Sequence, residues 1–386
     1  MYDVFSSYED NYKQGPKAEF LSERCFSKIN YLTKPKYSFL GIPLHIPFGV
    51  PAGPLLNTEY VKVALEAGFC LPVYKTVRSQ YWPAHNLPNI LHIQSDKKSL
   101  FVNDNPNVIG KNFKNREYFN SPLSISNSFG VPSQKPEVWQ KDFQELAPFA
   151  KCSGKHVVLS FQGSHKQNWH SQNSNDDFLE DIFQITKMAT HSVWLSGFQL
   201  LEINLSCPNE NATPLFQDVL QTIKIIKLVN KVILESQANI KLIIKIGVLS
   251  AEDVKRLISE TAGMLHAISA INTVAADIKT PSGNVALGSG VLSGGVCGSL
   301  ILEQGLTMVS LLAETRTKLG ILNEQLGIIG VGGVSSAREF HSYIAAGADV
   351  VQVATGMMWN LGLASEVADS LKVPYQKIVE IAAHDS

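Results

Sequence analysis

Eight short runs of strand-forming residues recur along the chain, most of them separated by stretches with helical periodicity. They are IPFGVPAG (46–53), LPVYKTV (71–77), KHVVLSFQG (155–163), QLLEINLS (199–206), IKLIIKIG (240–247), AISAINTV (267–274), LGIIGVGGV (326–334) and ADVVQVATG (348–356). Several are almost continuously apolar, as parallel strands covered on both faces must be. Between them, FQDVLQTIKIIKLVNKVILES and SAREFHSYIAAGA place apolar residues at roughly i, i+3, i+4 and i+7. Ser250 and Ser335 stand where helix N-caps belong. Eight β-then-α units are the count of an α/β fold closed as a (β/α)8 TIM barrel; a doubly wound open sheet is the alternative. Most runs end in Gly, Asn, Lys, Ser or Thr. In a barrel those ends form one rim, where active sites are built. The barrel is therefore the expected fold.

Two regions stand outside the repeat. Residues 1–40 are polar and aromatic with little periodicity, and are expected to be an N-terminal extension packed on the barrel's outside or bottom. Residues 41–386 form the barrel, within which 78–154 hold too many Asn, Pro and Lys for one helix. That stretch reads as a long insertion over the C-terminal rim, with a short strand at LSISNS, and such loops in compact domains are usually functional.

Charge and cysteine content remove several classes of function. A formal net charge of −1 supplies no basic field for nucleic acid or anionic lipid. No run approaches the length of a membrane helix, and the opening MYDVFSSYEDNYKQG lacks the basic-then-apolar pattern of a signal peptide. Five scattered cysteines without CxxC spacing argue against a disulfide framework and a zinc site alike. The expectation is a cytoplasmic protein with reduced thiols, no metal, no nucleic-acid partner and no membrane insertion.

The rim residues suggest a chemistry. GVGGV (330–334) and ATG (354–356) are strand ends that lead into helix starts, where free backbone N–H groups can bind a phosphate. SGGVCG (293–298) reads as a third glycine-rich turn; the alternative is that these glycines only permit close packing. Lys75 and Lys245 lie inside apolar strands and must reach the rim or find an anion, because burying an unpaired charge is costly. They could snorkel, form a Schiff base, or stabilise negative charge on a cofactor. Asn127, Asn204, Asn209 and Asn272 fall at strand ends or rim loops, and amides match a ligand that alternates N–H and C=O, such as a pyrimidine ring. Cys207 precedes Pro208, which restricts it to extended geometry and fixes where the thiol points. It is either a small core residue or a nucleophile or base.

Together these pieces resemble the dihydroorotate dehydrogenase family, FMN-containing barrels that oxidise dihydroorotate to orotate in pyrimidine biosynthesis. The resemblance spans about residues 41–360 and rests on ordered motifs: VYKTV, SNSFGVPS, INLSCPN, IIKIG, INTV, SGGVCG, GVGGV and QVATG. It implies that Cys207 is the base, with hydride passing to flavin N5. Cysteine at that position is similar to the soluble class 1 enzymes. Carried over, Lys75, Asn127, Ser128, Phe129, Gly130, Val131, Asn204, Asn209, Asn272 and Thr273 would bind substrate. Lys245 would face the flavin's N1–O2 edge, and Lys75 would touch substrate and flavin both. Ala52, Gly53, Thr76, Ser160, Asn204 and Ile271 would line the flavin, and Gly298, Gly332, Gly333, Ala354 and Thr355 its phosphate end. A homodimer acting on a small molecule is expected. The chain departs from the pattern at Phe129 and Val131, where Met and Leu are usual, at Ser133, where Asn is common, and in ENATPLFQ, which lacks the usual Pro-Gly hinge. A related flavin-dependent dihydropyrimidine oxidoreductase, or a flavin-free barrel lyase using Lys75 or Lys245, are the alternatives.

Overall fold

The computed structural model of the chain describes residues 1–17, 35–104, 106–113, 123–148, 155–164, 174–205, 215–288 and 290–372. Its strands are β1 (Tyr37–Phe39), β2 (Ile42–Leu44), β3 (Phe48–Val50), β4 (Leu71–Val77), β5 (His92–Gln94), β6 (Asn107–Lys111), β7 (Ser124–Asn127) and β8 (Val158–Phe161). They continue with β9 (Leu200–Asn204), β10 (Lys241–Ile246), β11 (Ala267–Ala270), β12 (Val274–Lys279), β13 (Ser293–Gly298), β14 (Gly327–Val331) and β15 (Val350–Gln352). Eight of them close a parallel barrel in the order β10-β11-β14-β15-β3-β4-β8-β9, so strands consecutive around the barrel are consecutive among the eight predicted runs. Helices Thr58–Glu66, Ser174–Ser196, Val219–Glu235, Ala251–Glu260, Leu302–Lys318 and Ala337–Ala345 lie between them in sequence. The fold is a (β/α)8 barrel.

Local chemistry explains the helix starts. Asn57 and Asp218 cap their helices, and the Ser250 side chain accepts from the Asp253 N–H. The predicted cap at Ser335 is one residue early. Ser336 is the N-cap, because its position lets Glu339 bond back to it in a capping box.

The long insertion is more ordered than its composition suggested. Residues 92–94, 107–111 and 124–127 supply β5, β6 and β7 of a second, five-stranded closed sheet in the order β12-β13-β7-β5-β6. Its other two strands come from the segment after β11. SGGVCG is therefore a strand, not the predicted turn. It pairs antiparallel with β12 and β7, and only its last glycine, Gly298, has positive φ among its residues.

The N-terminal extension divides between the barrel's two ends. The β1–β2 hairpin lies at the bottom, where Phe39 packs so closely on Gly327, the first residue of β14, that a Cβ there would sit 2.4 Å from its ring. Residues 1–17 go to the opposite rim. Asn11 knots them together, donating to the carbonyls of Asp3, Ser6 and Ser7. Tyr2 and Tyr8 then meet the Phe129 ring at 5.9 and 6.4 Å, and Tyr60, in the first turn of the helix after β3, donates to Asn11 O. Nothing in the composition of this part distinguishes the barrel's two ends.

Candidate active site

Inward positions on neighbouring strands share a register, and that register assembles the floor of the site. Lys245 pairs with Asn204 on one side and Ser269 on the other, and Glu202, two residues before Asn204, pairs with Ser160. Lys245, Glu202, Ser160 and Ser269 are all buried. Burial pushes Lys245 down to about 8, while the Glu202 charge pulls the other way. Burial pushes Glu202 up, opposed first by Lys245 and then by Ser160. The Ser160 hydroxyl is already shared with Thr76 Oγ1 at 3.1 Å, so Lys245 is the partner that matters for Glu202. The two form one buried acid–base couple, each favouring the charged form of the other.

Lys75 reaches this floor through an irregularity in its strand. Between Tyr74 and Val77, β4 runs three residues against the two from Leu159 to Phe161 of β8, a bulge. A bulge re-aims the side chains beside it. Here Thr76 turns to Ser160, and buried Lys75 donates to the Thr76 carbonyl at 3.4 Å.

Three buried side chains of the barrel carry oxygens with no hydrogen-bond partner: both carboxylate oxygens of Glu202, Ser269 Oγ and Gln352 Oε1. Native interiors leave few such atoms. Glu202 and Ser269 share the face of Lys245 by register. The barrel's polar interior thus fits a ligand that brings its own donors and acceptors.

The glycine turns converge beside it. Gly332 and Gly333 adopt φ of 124° and 77°, and a Cβ on Gly333 would fall 2.6 Å from Leu302 Cβ. Leu302 begins the helix reached from Gly298 through Ser299–Ile301. Thr355 bonds to the neighbouring Cys297 thiol, which burial pushes up to about 11, and Gly356 packs under Val334 O. Gly298, Gly332, Gly333, Ala354 and Thr355 therefore belong to one cluster of turns and helix starts, where backbone N–H groups are free of intrahelical bonds. Such a cluster fits a phosphate. Ala52 and Gly53 follow β3, Gly53 with φ of 141° and open space around it, and buried Ile271 follows β11.

The small sheet supplies the roof. Asn127, at the end of β7, pairs with Gly295 of β13 and is exposed. Gly295 in turn abuts Thr273: a Cβ on it would lie 2.5 Å from Thr273 Oγ1. Asn272, beside Thr273, is tied to the end of β10 by its N–H to Ile246 O, 3.1 Å. One glycine thereby brings Asn127 and Thr273 together, although they are distant in sequence. Ser128 is buried, its N–H given to Asn89 O; Phe129 is part-buried against the N-terminal tyrosines; Gly130 and Val131 both have positive φ. Cys207 and Asn209 lie outside the described residues.

Sequence reasoning passed over Glu202 and Gly295. Glu202 carried the same signal as the two lysines, a charge inside an apolar strand. Gly295 was hidden because its glycines read as a turn. Among the described residues there is no group of His, Cys, Asp and Glu able to hold a metal ion, and no helix long and apolar enough to cross a membrane.

A barrel with a polar floor and a glycine cradle at its C-terminal rim fits a class of barrel enzymes that bind a phosphate-bearing ligand, and comparison with known proteins narrows it. A family profile described as dihydroorotate dehydrogenase matches residues 36–373. A dihydroorotate dehydrogenase of Dictyostelium discoideum is 34% identical over 93% of this chain and 94% of its own length. The catalytic subunit of a dihydroorotate dehydrogenase B (NAD(+)) from Thermodesulfovibrio yellowstonii is 26% identical over 66% of this chain and 74% of its own. A dihydroorotate dehydrogenase (quinone) of Idiomarina loihiensis is 22% identical over 86% of each. The chain belongs to the dihydroorotate dehydrogenase family, flavin-dependent oxidoreductases acting on a CH–CH bond.

Proposed function

We propose that this chain oxidises dihydroorotate to orotate with FMN as its resident cofactor, as a cytoplasmic homodimer. The observation that carries the reading is the meeting of three features at one rim: the Lys245–Glu202 floor, the Gly332–Gly333 cradle and the Asn127–Gly295–Thr273 roof. The names of the relatives differ in oxidant, NAD(+) in one and quinone in another, and agree on dihydroorotate. The substrate half of the reaction is what this site is read to share.

When bound, FMN supplies a hydride acceptor for C6 of the substrate. Ala52, Gly53, Thr76, Ser160, Asn204 and Ile271 would hold its ring and chain, and Gly298, Gly332, Gly333, Ala354 and Thr355 its phosphate. Asn127, Asn204, Asn209, Asn272 and Thr273 would grip the pyrimidine ring and carboxylate, helped by the backbone of Ser128 to Val131. Cys207 would take the C5 proton; Pro208 after it limits the thiol's directions. Lys75 would balance the substrate carboxylate, and Lys245 the negative charge that gathers on the ring edge during reduction.

Anaerobic addition of dihydroorotate to the purified protein tests this. Its visible flavin band should bleach and the bound cofactor should analyse as FMN. A yellow protein that dihydroorotate does not bleach, or a colourless one after FMN supplementation, would defeat the proposal.

A further inference from the structure

The turn that carries Asn127 to Val131 is gripped by a side chain to which the function above assigns nothing. Arg78 directly follows β4 and is 6% exposed. Its Nε donates to Val131 O at 2.9 Å, and one terminal nitrogen donates to Gly130 O at 3.2 Å. The other terminal nitrogen reaches Ser164 Oγ at 2.9 Å and Gly163 O at 3.4 Å, in the loop that leaves β8. With its amide oxygen turned to the guanidinium, Gln162 accepts from both, at 2.6 and 3.2 Å.

The base of this side chain is anchored as firmly as its tip. The Arg78 N–H donates to Ser133 Oγ at 3.0 Å, its carbonyl accepts from Trp139 Nε1 at 3.1 Å, and its guanidinium carbon stands 4.3 Å from the Trp82 ring centre. Trp82 and Ser133 exchange two backbone hydrogen bonds of 2.9 Å. His85 closes the other side: it donates its N–H to Phe129 O, and its ring would lie 2.4 Å from a Cβ on Gly130.

The turn needs such a grip. Gly130 has φ of 72° and Val131 φ of 52°. Glycine adopts that region freely, whereas a β-branched residue there is an outlier that surrounding structure must enforce. Carbonyls pinned by a rigid, planar donor fork are a means of enforcing it, and the single point charge of a lysine could not span both loops.

We propose that Arg78 is a positioning residue for the substrate. By tying the Gly130–Val131 turn to the loop after β8, it sets where Asn127 and Ser128 stand at the barrel mouth. The inference rests on the reading that this turn takes dihydroorotate. It concerns binding geometry and leaves the redox step alone.

The Arg78→Lys variant, prepared with its FMN, provides the test. Orotate Kd and dihydroorotate KM should rise roughly 10- to 100-fold, as expected for losing charge-assisted hydrogen bonds, with flavin reduction at saturating substrate little changed. Amide exchange over residues 126–133 should accelerate in the variant even without ligand, which tests the grip whether or not orotate binds. Adding Val131→Gly to Arg78→Lys should recover part of the lost affinity, because glycine removes the need for enforcement. Wild-type exchange and affinity in Arg78→Lys would overturn the proposal. So would an affinity loss that Val131→Gly leaves untouched, which would assign the effect to charge alone. If Arg78→Lys does not fold, Ser164→Ala cuts one anchor of the fork; unchanged exchange and orotate affinity there would equally overturn it. Failure of wild type to bind orotate would instead remove the proposed function.

Discussion

In the barrel, Lys245, Glu202, Ser160 and Ser269 stand on strands whose register is set over four to five consecutive pairs by buried apolar neighbours. In the small sheet, Asn127 ends the four-residue β7, which meets β5 at a single pair, while Thr273 is placed by a glycine contact and the turn after Asn127 by the hydrogen bonds of one arginine. The first arrangement resists displacement because a one-residue slip would turn every side chain to the wrong face. Beyond the β7–β13 pairs, the second depends on few contacts, each of which can be removed singly. Changes to the floor should therefore act on the chemical step, and changes to the roof on substrate affinity.

Cys207 offers the largest effect. If it is the base, Cys207→Ala should keep FMN and bind orotate while flavin reduction by dihydroorotate falls roughly 10²–10⁴-fold. Wild-type reduction should rise with pH as the thiol ionises, and the alanine variant should lose that limb. Stopped-flow traces across the pH range check this; near-normal rates in Cys207→Ala would reduce the cysteine to packing.

Lys245→Ala breaks the floor alone. Losing a preorganised cation beside developing negative charge should cost about 2–4 kcal/mol in the reductive step, with orotate affinity nearly intact. A loss confined to orotate binding would contradict the division drawn above.

Gly295→Ala disturbs the roof alone. The added methyl must displace Thr273 Oγ1, 2.5 Å from the position it would take. Overpacking of this kind typically costs 1–3 kcal/mol, so orotate Kd should rise roughly tenfold with FMN content unchanged. Loss of FMN in this variant would show that the sheet supports the floor as well.

The two regions also differ in how far the chain's primary structure discloses them. All eight barrel strands are legible because each is a short, largely apolar run set off from its neighbours by helical or turn-forming residues. The roof is not. β5 has three residues, too few to display alternation, and β13 pairs Cys297 with Ile125, 172 positions away. Its glycines, there to let β13 lie against Thr273, mimic a turn. Glu202 was within reach, since the rule that selected Lys75 and Lys245 applies to it unchanged. Arg78 was not, because a side chain bonded to carbonyls leaves no signature in the residues it holds.

The smallest expected effect probes the floor without any ligand. In the FMN-free protein burial holds Lys245 down to about 8, against 10.5 when exposed. Between those values the unfolded chain binds more protons than the folded one, so stability contributed by this group rises with pH and is lost as pH falls through 8. Lys155, buried at the start of the β8 run and donating to Leu65 O, is also pushed down to about 8, and acts with the same sign. Glu202, raised by burial, acts the opposite way from 4.5 upward, so variants must be compared with wild type at each pH. Melting temperatures of the FMN-free protein measured from neutral to alkaline pH should climb less steeply in Lys245→Met than in wild type. Gly295→Ala should keep the wild-type slope, because its site lies in the roof and touches neither lysine. If Lys245→Met climbs as steeply as wild type, the ammonium is already screened in the folded protein. The pairing with Glu202 would then be strong enough to offset burial and hold the ammonium charged across this range.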